Sequence, residues 1–122
     1  MTALQDLRRH RRIVPPRPLH ARFELKGVLV SAVEIVSVGA GGFGAWVEDR
    51  YAALFEPGGR LKALIFEDAH FPEPPDAGRV VFSTLKGQSA RAGYIMVGVE
   101  FLEVPEAFGR HMEALIQGDP EA

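Results

Sequence analysis

Six stretches of alternating apolar and polar residues, separated by glycine and proline turns, limit what this chain can fold into. "ARFELKG" sets Ala21, Phe23 and Leu25 against Arg22, Glu24 and Lys26, the period-two pattern of a strand buried on one face. "VLVSAVEIVSV" is long and β-branched, "FGAWVED" alternates Phe43, Ala45 and Val47, and "GRLKALIFED" follows the turn signal "EPGG". "GRVVFSTLKG" and "GYIMVGVEFLEV" complete the set. Six such runs bounded by turn residues predict a mainly β chain, a small antiparallel barrel or sandwich.

The last stretch breaks this rhythm. In "PEAFGRHMEALIQG" the apolar residues Phe108, Met112, Leu115 and Ile116 fall at helical spacing. Pro105 suits a first helical turn, Glu106 its positive end, and Gly118 its stop. A helix over about 105–117 is expected to pack on the sheet or plug an open end. At the other terminus, "MTALQDLRRHRR" has the makings of a short helical turn. Pro15, Pro16 and Pro18 stop it, so "RIVPPRP" reads as extended. The chain thus divides into a basic lead segment, 1–20, and a β domain with its helix, 21–122. "EDAHFPEPPDAG", residues 67–78, reads as a long hairpin loop, with Phe71 a candidate partner contact among polar neighbours.

With 122 residues, the chain fits one domain with one core. It has no cysteine, which excludes disulfides and thiolate chemistry. No apolar run approaches the roughly 20 residues needed to span a bilayer. The N-terminus lacks the apolar core of a secretory signal. No membrane insertion and a cytoplasmic location are the expectations. The net charge of −2 argues against a general nucleic-acid binder. Its distribution says more. Residues 1–26 carry seven basic and two acidic side chains, a net of +5, which leaves −7 on the remainder. A basic head on an acidic body suits capture of a small anion.

Catalytic patterns do not emerge. His10, His20, His70 and His111 are scattered, so no metal ligation is expected. Ser31, Ser37, Ser83 and Ser89 have no recognisable base partner. "GAGGFG", residues 39–44, fails as a dinucleotide fingerprint, because a strand rather than a helix follows it. It also lacks the Lys-Ser/Thr of a phosphate loop. Two readings of these glycines stay open: close approach of another backbone, or a bare surface on which a ligand lies.

An arginine cluster before the first strand and a glycine turn between later strands resemble the PilZ domain. These are small bacterial six-stranded antiparallel β-barrels with a C-terminal helix that bind cyclic di-GMP. The resemblance covers nearly the whole chain. The family's Arg-x-x-x-Arg motif is matched within Arg8-Arg9-His10-Arg11-Arg12 by Arg8 and Arg12. Its Asp/Asn-x-Ser-x-x-Gly motif falls on Ser37-Val38-Gly39-Ala40-Gly41-Gly42, which keeps only Gly42. A shifted register, with Ile35, Ser37 and Ala40 at the three positions, keeps only the serine. The first is preferred, because Gly42-Phe43 then leads into the next strand. "EPGGRLKALI" and "GYIMVGVEFLEV" also look like family elements.

The resemblance implies a non-enzymatic cyclic di-GMP receptor or adaptor, with the nucleotide as ligand and no cofactor or metal. The N-terminal segment would change on binding and signal to a protein partner. The implied ligand-binding residues are Arg8, Arg9, Arg12, Ser37, Gly39 and Gly42. Arginine forks to phosphate oxygens, stacks on guanine and donates to its O6/N7 edge. Asp or Asn would accept from guanine N–H groups. With Ser37 and Gly39 at the acceptor positions, the alternative is a PilZ-type adaptor that binds a protein and not the nucleotide.

Overall fold

The computed structural model describes residues 11–118. In chain order the elements are β1 (Arg12–Ile13), β2 (His20–Leu25), β3 (Val28–Gly39), β4 (Gly42–Glu48), a 3-10 turn (Asp49–Leu54), β5 (Arg60–Phe66), β6 (Ala77–Ser83), β7 (Tyr94–Leu102) and helix α1 (Glu106–Gly118). The strands from β2 to β7 are the six expected from the sequence. They form a closed antiparallel barrel in the order β3–β2–β5–β6–β7–β4, with β4 returning to pair with β3.

A barrel this small must bend its strands sharply, and β-bulges supply the bend. Two of them flank β2. Between Ala21 and Phe23 the partner strand β3 carries an extra residue, and between Arg22 and Glu24 so does β5. Ala32 and Ala63, in those two inserts, hold φ near +56°. A side chain with a Cβ pays roughly 1–2 kcal/mol there, and glycine's extra chain freedom offsets roughly 0.5–1 kcal/mol of that. Ala63 is exposed, so Ala63→Gly should raise the midpoint of thermal unfolding by a few degrees. A lower midpoint would contradict this account of the bulge.

The inward faces form one core: Phe23 and Leu25 from β2, Val30, Val33 and Val38 from β3, Phe43 and Val47 from β4, and Ile95, Val97 and Val99 from β7, all with no exposed area. Helix α1 adds Phe108 and Met112 to it and buries Ile116 as well. Phe108 stands edge-on to Phe101 at 5.2 Å, and Phe101 meets Phe43, so the helix docks on the barrel end where β7 finishes. At the far end the 3-10 turn seats Phe55 against Phe23. That turn was not expected from the sequence.

Three further details differ from expectation. Leu115, grouped with the buried stripe, is 38% exposed; three of the four apolar helix positions are buried. Phe71 is half-buried and packs edge-on against Phe66 at 5.7 Å, which gives it a packing role in its loop. Arg12, shared between the possible helical turn and the stretch read as extended, lies in β1, paired with Gly39, while Ile13 pairs with Val38 and packs against the core. Residues 1–10 of that turn lie outside the described residues. Leu19, ahead of the first expected strand, is 1% exposed and accepts a hydrogen bond from the Ile35 N–H.

Candidate ligand-binding face

The face of interest is the outer surface of β3, β4 and β7, next to β1. Along β4, Phe43, Ala45 and Val47 point inward, so Gly42, Gly44 and Trp46 lie on the outer side. On β3 a bulge sits between Ile35 and Ser37. Ile35 and Val38 stay in the core, and Ser37 and Gly39 face outward. In the alternative motif register, the acceptor position would therefore fall on a buried isoleucine. In the preferred register the two acceptor positions share the outer face, as two side chains on one ligand require.

Three glycines have three different reasons for being bare. A Cβ on Gly39 would overlap the main-chain carbonyl oxygen of Arg11, and Cγ of Arg12 lies 3.1 Å from the same point. Gly39 is thus bare because β1 lies against it. A Cβ on Gly42 would overlap the Val99 carbonyl oxygen and come within 3.0 Å of Cα of Glu100. Gly42 is bare because β7 lies against it. Gly44 differs. Its nearest neighbours are Ser37 Oγ, 3.4 Å from a Cβ placed there, and Arg12 Nη1 at 3.7 Å. The guanidinium of Arg12 runs from Gly39 towards Gly44, and the Ser37 hydroxyl meets it over the same bare spot. Gly44, which was not among the sequence candidates, joins them here. The signal was its place in "GFGAW", two residues from Gly42 on the same face.

Across the ladder, Ser37 pairs with Gly44 and Gly44 with Gly98. The ring of Phe82 lies over Gly98. This row has a side-chain-free centre, bordered by Arg12 and Ser37 on one side and an aromatic ring on the other. The next row joins Glu34, Trp46 and Met96. Arg91, from the loop between β6 and β7, donates from Nη1 to Glu34 Oε1 at 3.0 Å. Its guanidinium stacks 3.8 Å from the Tyr94 ring centroid and stands 5.9 Å from that of Trp46. The hydrogen bond to Glu34 is the main reason the Arg91 pKa is raised above its ordinary value. Arg8 and Arg9 lie outside the described residues. Of the candidate residues, the structure brings Arg12, Ser37 and Gly39 together, with Gly44 beside them, and sets Gly42 against β7 in the strand seam.

Chemically the face offers guanidinium groups, a hydroxyl, aromatic rings and bare backbone. That set binds anions and flat rings. Among the described residues there is no cluster of metal-ligating side chains, and no helix is long and apolar enough to cross a membrane.

No family model matches the chain, and no curated protein matches it. Solved structures do. The chain superposes on the PilZ domain of YcgR from Escherichia coli with c-di-GMP, with a TM-score of 0.66 and 18% identity, covering 92% of this chain and 90% of that one. The fold is that of a PilZ domain. YcgR in complex with c-di-GMP gives the same TM-score and identity, but there the chain covers 45% of YcgR. MrkH, a c-di-GMP-dependent transcription regulatory factor, gives a TM-score of 0.69 at 15% identity, with 91% of this chain and 50% of MrkH covered. The chain thus spans about half the length of these two proteins and nearly all of the isolated PilZ domain. The roles these names carry are c-di-GMP binding and transcription regulation.

Proposed function

We propose that this PilZ-fold domain is a non-enzymatic cyclic di-GMP receptor that passes the signal to a protein partner in the cytoplasm. The observation that carries the reading is the meeting of the Arg12 guanidinium and the Ser37 hydroxyl over bare Gly44, on a fold shared with a domain solved with c-di-GMP. Arg12 forks to phosphate oxygens while the bare backbone admits the flat rings of the ligand. Arg8 and Arg9, from the lead segment, add further charge-assisted contacts to the phosphates beside Arg12. The change at the N-terminus is local: β1 holds the sheet through two residues only, so a ligand that bridges Arg8 and Arg12 reorients the segment that precedes it. The new surface is what the partner reads.

Calorimetric titration with cyclic di-GMP tests this. Arg8→Ala and Arg12→Ala should each weaken binding ten- to a hundredfold, the loss of one forked contact at roughly 1–3 kcal/mol. No heat at high micromolar nucleotide, or equal heats in wild type and both variants, would sink the proposal. A second reading is favoured by Ser37 and Gly39, which stand where acceptors are expected: a PilZ-fold adaptor that binds a protein without nucleotide. Recovery of one stoichiometric partner, unchanged by added nucleotide, would favour it.

A further inference from the structure

We propose that Glu34, Trp46 and Arg91 form a guanine-reading site beside the phosphate site, and that Glu34 supplies the acceptor missing at Ser37. This rests on the cyclic di-GMP reading above and extends it to base recognition. Guanine presents three recognisable features. Its Watson–Crick edge carries two adjacent donors, N1–H and the exocyclic amine. Its Hoogsteen edge carries two acceptors, O6 and N7. Its ring offers two stacking faces. A carboxylate matches the first, an arginine fork the second, and an aromatic ring the third.

The row next to Ser37 and Gly44 holds one of each. Glu34 is paired across the ladder with Trp46. Trp46 is two residues along β4 from Gly44, a distance of about 7 Å. A dinucleotide with a phosphate at Arg12 and Ser37 therefore places a base within reach of this row. The Glu34 side chain is 43% exposed and engages Arg91 through one oxygen, Oε1. An exposed ion pair of this kind contributes little to stability, so it opens readily. Arg91 is in contact with Tyr94 but stands off Trp46. When a base lies on Trp46 and takes the Glu34 carboxylate, Arg91 keeps its stack on Tyr94 and turns its fork to O6 and N7. The charge arrangement is preserved, and the β6–β7 loop that carries Arg91 is drawn in by the ligand.

This assignment makes a base-specific demand. Adenine has no N1–H donor and would leave the carboxylate without its paired donors, a mismatch that binding sites reject strongly. Trp46 is the sole tryptophan of the chain, so its emission reports stacking directly. The full chain is titrated with cyclic di-GMP and with cyclic di-AMP, followed by Trp46 fluorescence and by calorimetry, for wild type, Glu34→Gln, Glu34→Asp and Arg12→Ala. Wild type should show saturable quenching and at least a hundredfold preference for the guanine ligand. Glu34→Gln should weaken cyclic di-GMP ten- to a hundredfold and leave cyclic di-AMP unchanged or tighter. Glu34→Asp should recover part of the preference. Arg12→Ala should weaken both nucleotides alike. Wild-type affinity for cyclic di-GMP in Glu34→Gln, with binding lost in Arg12→Ala, would overturn the guanine site and leave the receptor reading intact. An equal loss for both nucleotides in Glu34→Gln would assign Glu34 to loop structure and also overturn it. No binding by wild type would overturn both readings.

Discussion

Gly42→Ala should destabilise the barrel by about 3 kcal/mol, at the upper end of what overpacking costs. The reason is what the added methyl group meets. It is the main-chain carbonyl oxygen of Val99, with Cα of Glu100 at 3.0 Å behind it. A flexible side chain could swing away, but a strand backbone moves only if its ladder moves. That ladder is the β4–β7 seam, which runs from Gly42↔Glu100 to Glu48↔Tyr94 without a register shift, and it is one of the joins that close the sheet on itself. Against a total stability of roughly 5–15 kcal/mol for a domain of this kind, the loss is large. Urea denaturation should show a lower midpoint with little change in slope. Gly44→Ala is the control. The same methyl group there meets Ser37 Oγ, the end of Arg12 and, at 3.9 Å, the Val97 carbonyl oxygen, all at contact distance, so stability should hold while nucleotide binding falls. The reverse pattern, a stable Gly42→Ala that has lost the ligand, would return Gly42 to the ligand-binding set.

The two glycines also show how far the sequence was legible. The six strands were readable because each keeps period-two alternation with an apolar face, and burial enforces that pattern. Ala21, Phe23 and Leu25 on β2 and Phe43, Ala45 and Val47 on β4 all reach the core as the pattern required. The buried side of the helix was readable at Phe108, Met112 and Ile116 for the same reason at period 3.6. Leu115 misled because a helix on a barrel end buries a narrow stripe, and one residue beside the stripe stays exposed. β1 was not legible. Two residues have no periodicity, and Arg12–Ile13 gain a partner only because Gly39, far along the chain, has no side chain. The site is long-range in the same way. Arg12, Ser37 and Gly44 come together through β1–β3 and β3–β4 pairing. Arg91 joins Glu34 across 57 positions. The resemblance to the PilZ motifs grouped the arginines with the glycine turn. It did not distinguish a glycine that accommodates a strand, as Gly39 and Gly42 do, from one over which Arg12 and Ser37 meet, as at Gly44.

Restoring the two weakened acceptor positions one at a time should therefore give opposite results. Ser37→Asp places a carboxylate on the outer face, beside the Arg12 guanidinium and over bare Gly44. The position is half-buried, and the neighbouring cation holds the carboxylate ionised. A carboxylate accepts from both guanine donors where a hydroxyl accepts one bond, a difference of roughly 1–3 kcal/mol. Cyclic di-GMP affinity should rise about tenfold or more, and in a Glu34→Gln background the same change should recover most of the lost binding. Gly39→Ser also restores a motif residue, yet it should weaken binding. Its Cβ would strike the Arg11 carbonyl oxygen and press on Cγ of Arg12. β1 would lift from β3, and the guanidinium would leave the ligand face with it. Because β1 is two residues long, global stability should fall little, so calorimetry should register lost affinity in a protein that still unfolds cooperatively. A Gly39→Ser variant that bound more tightly than wild type would show that Arg12 does not need the β1 pairing to reach its ligand.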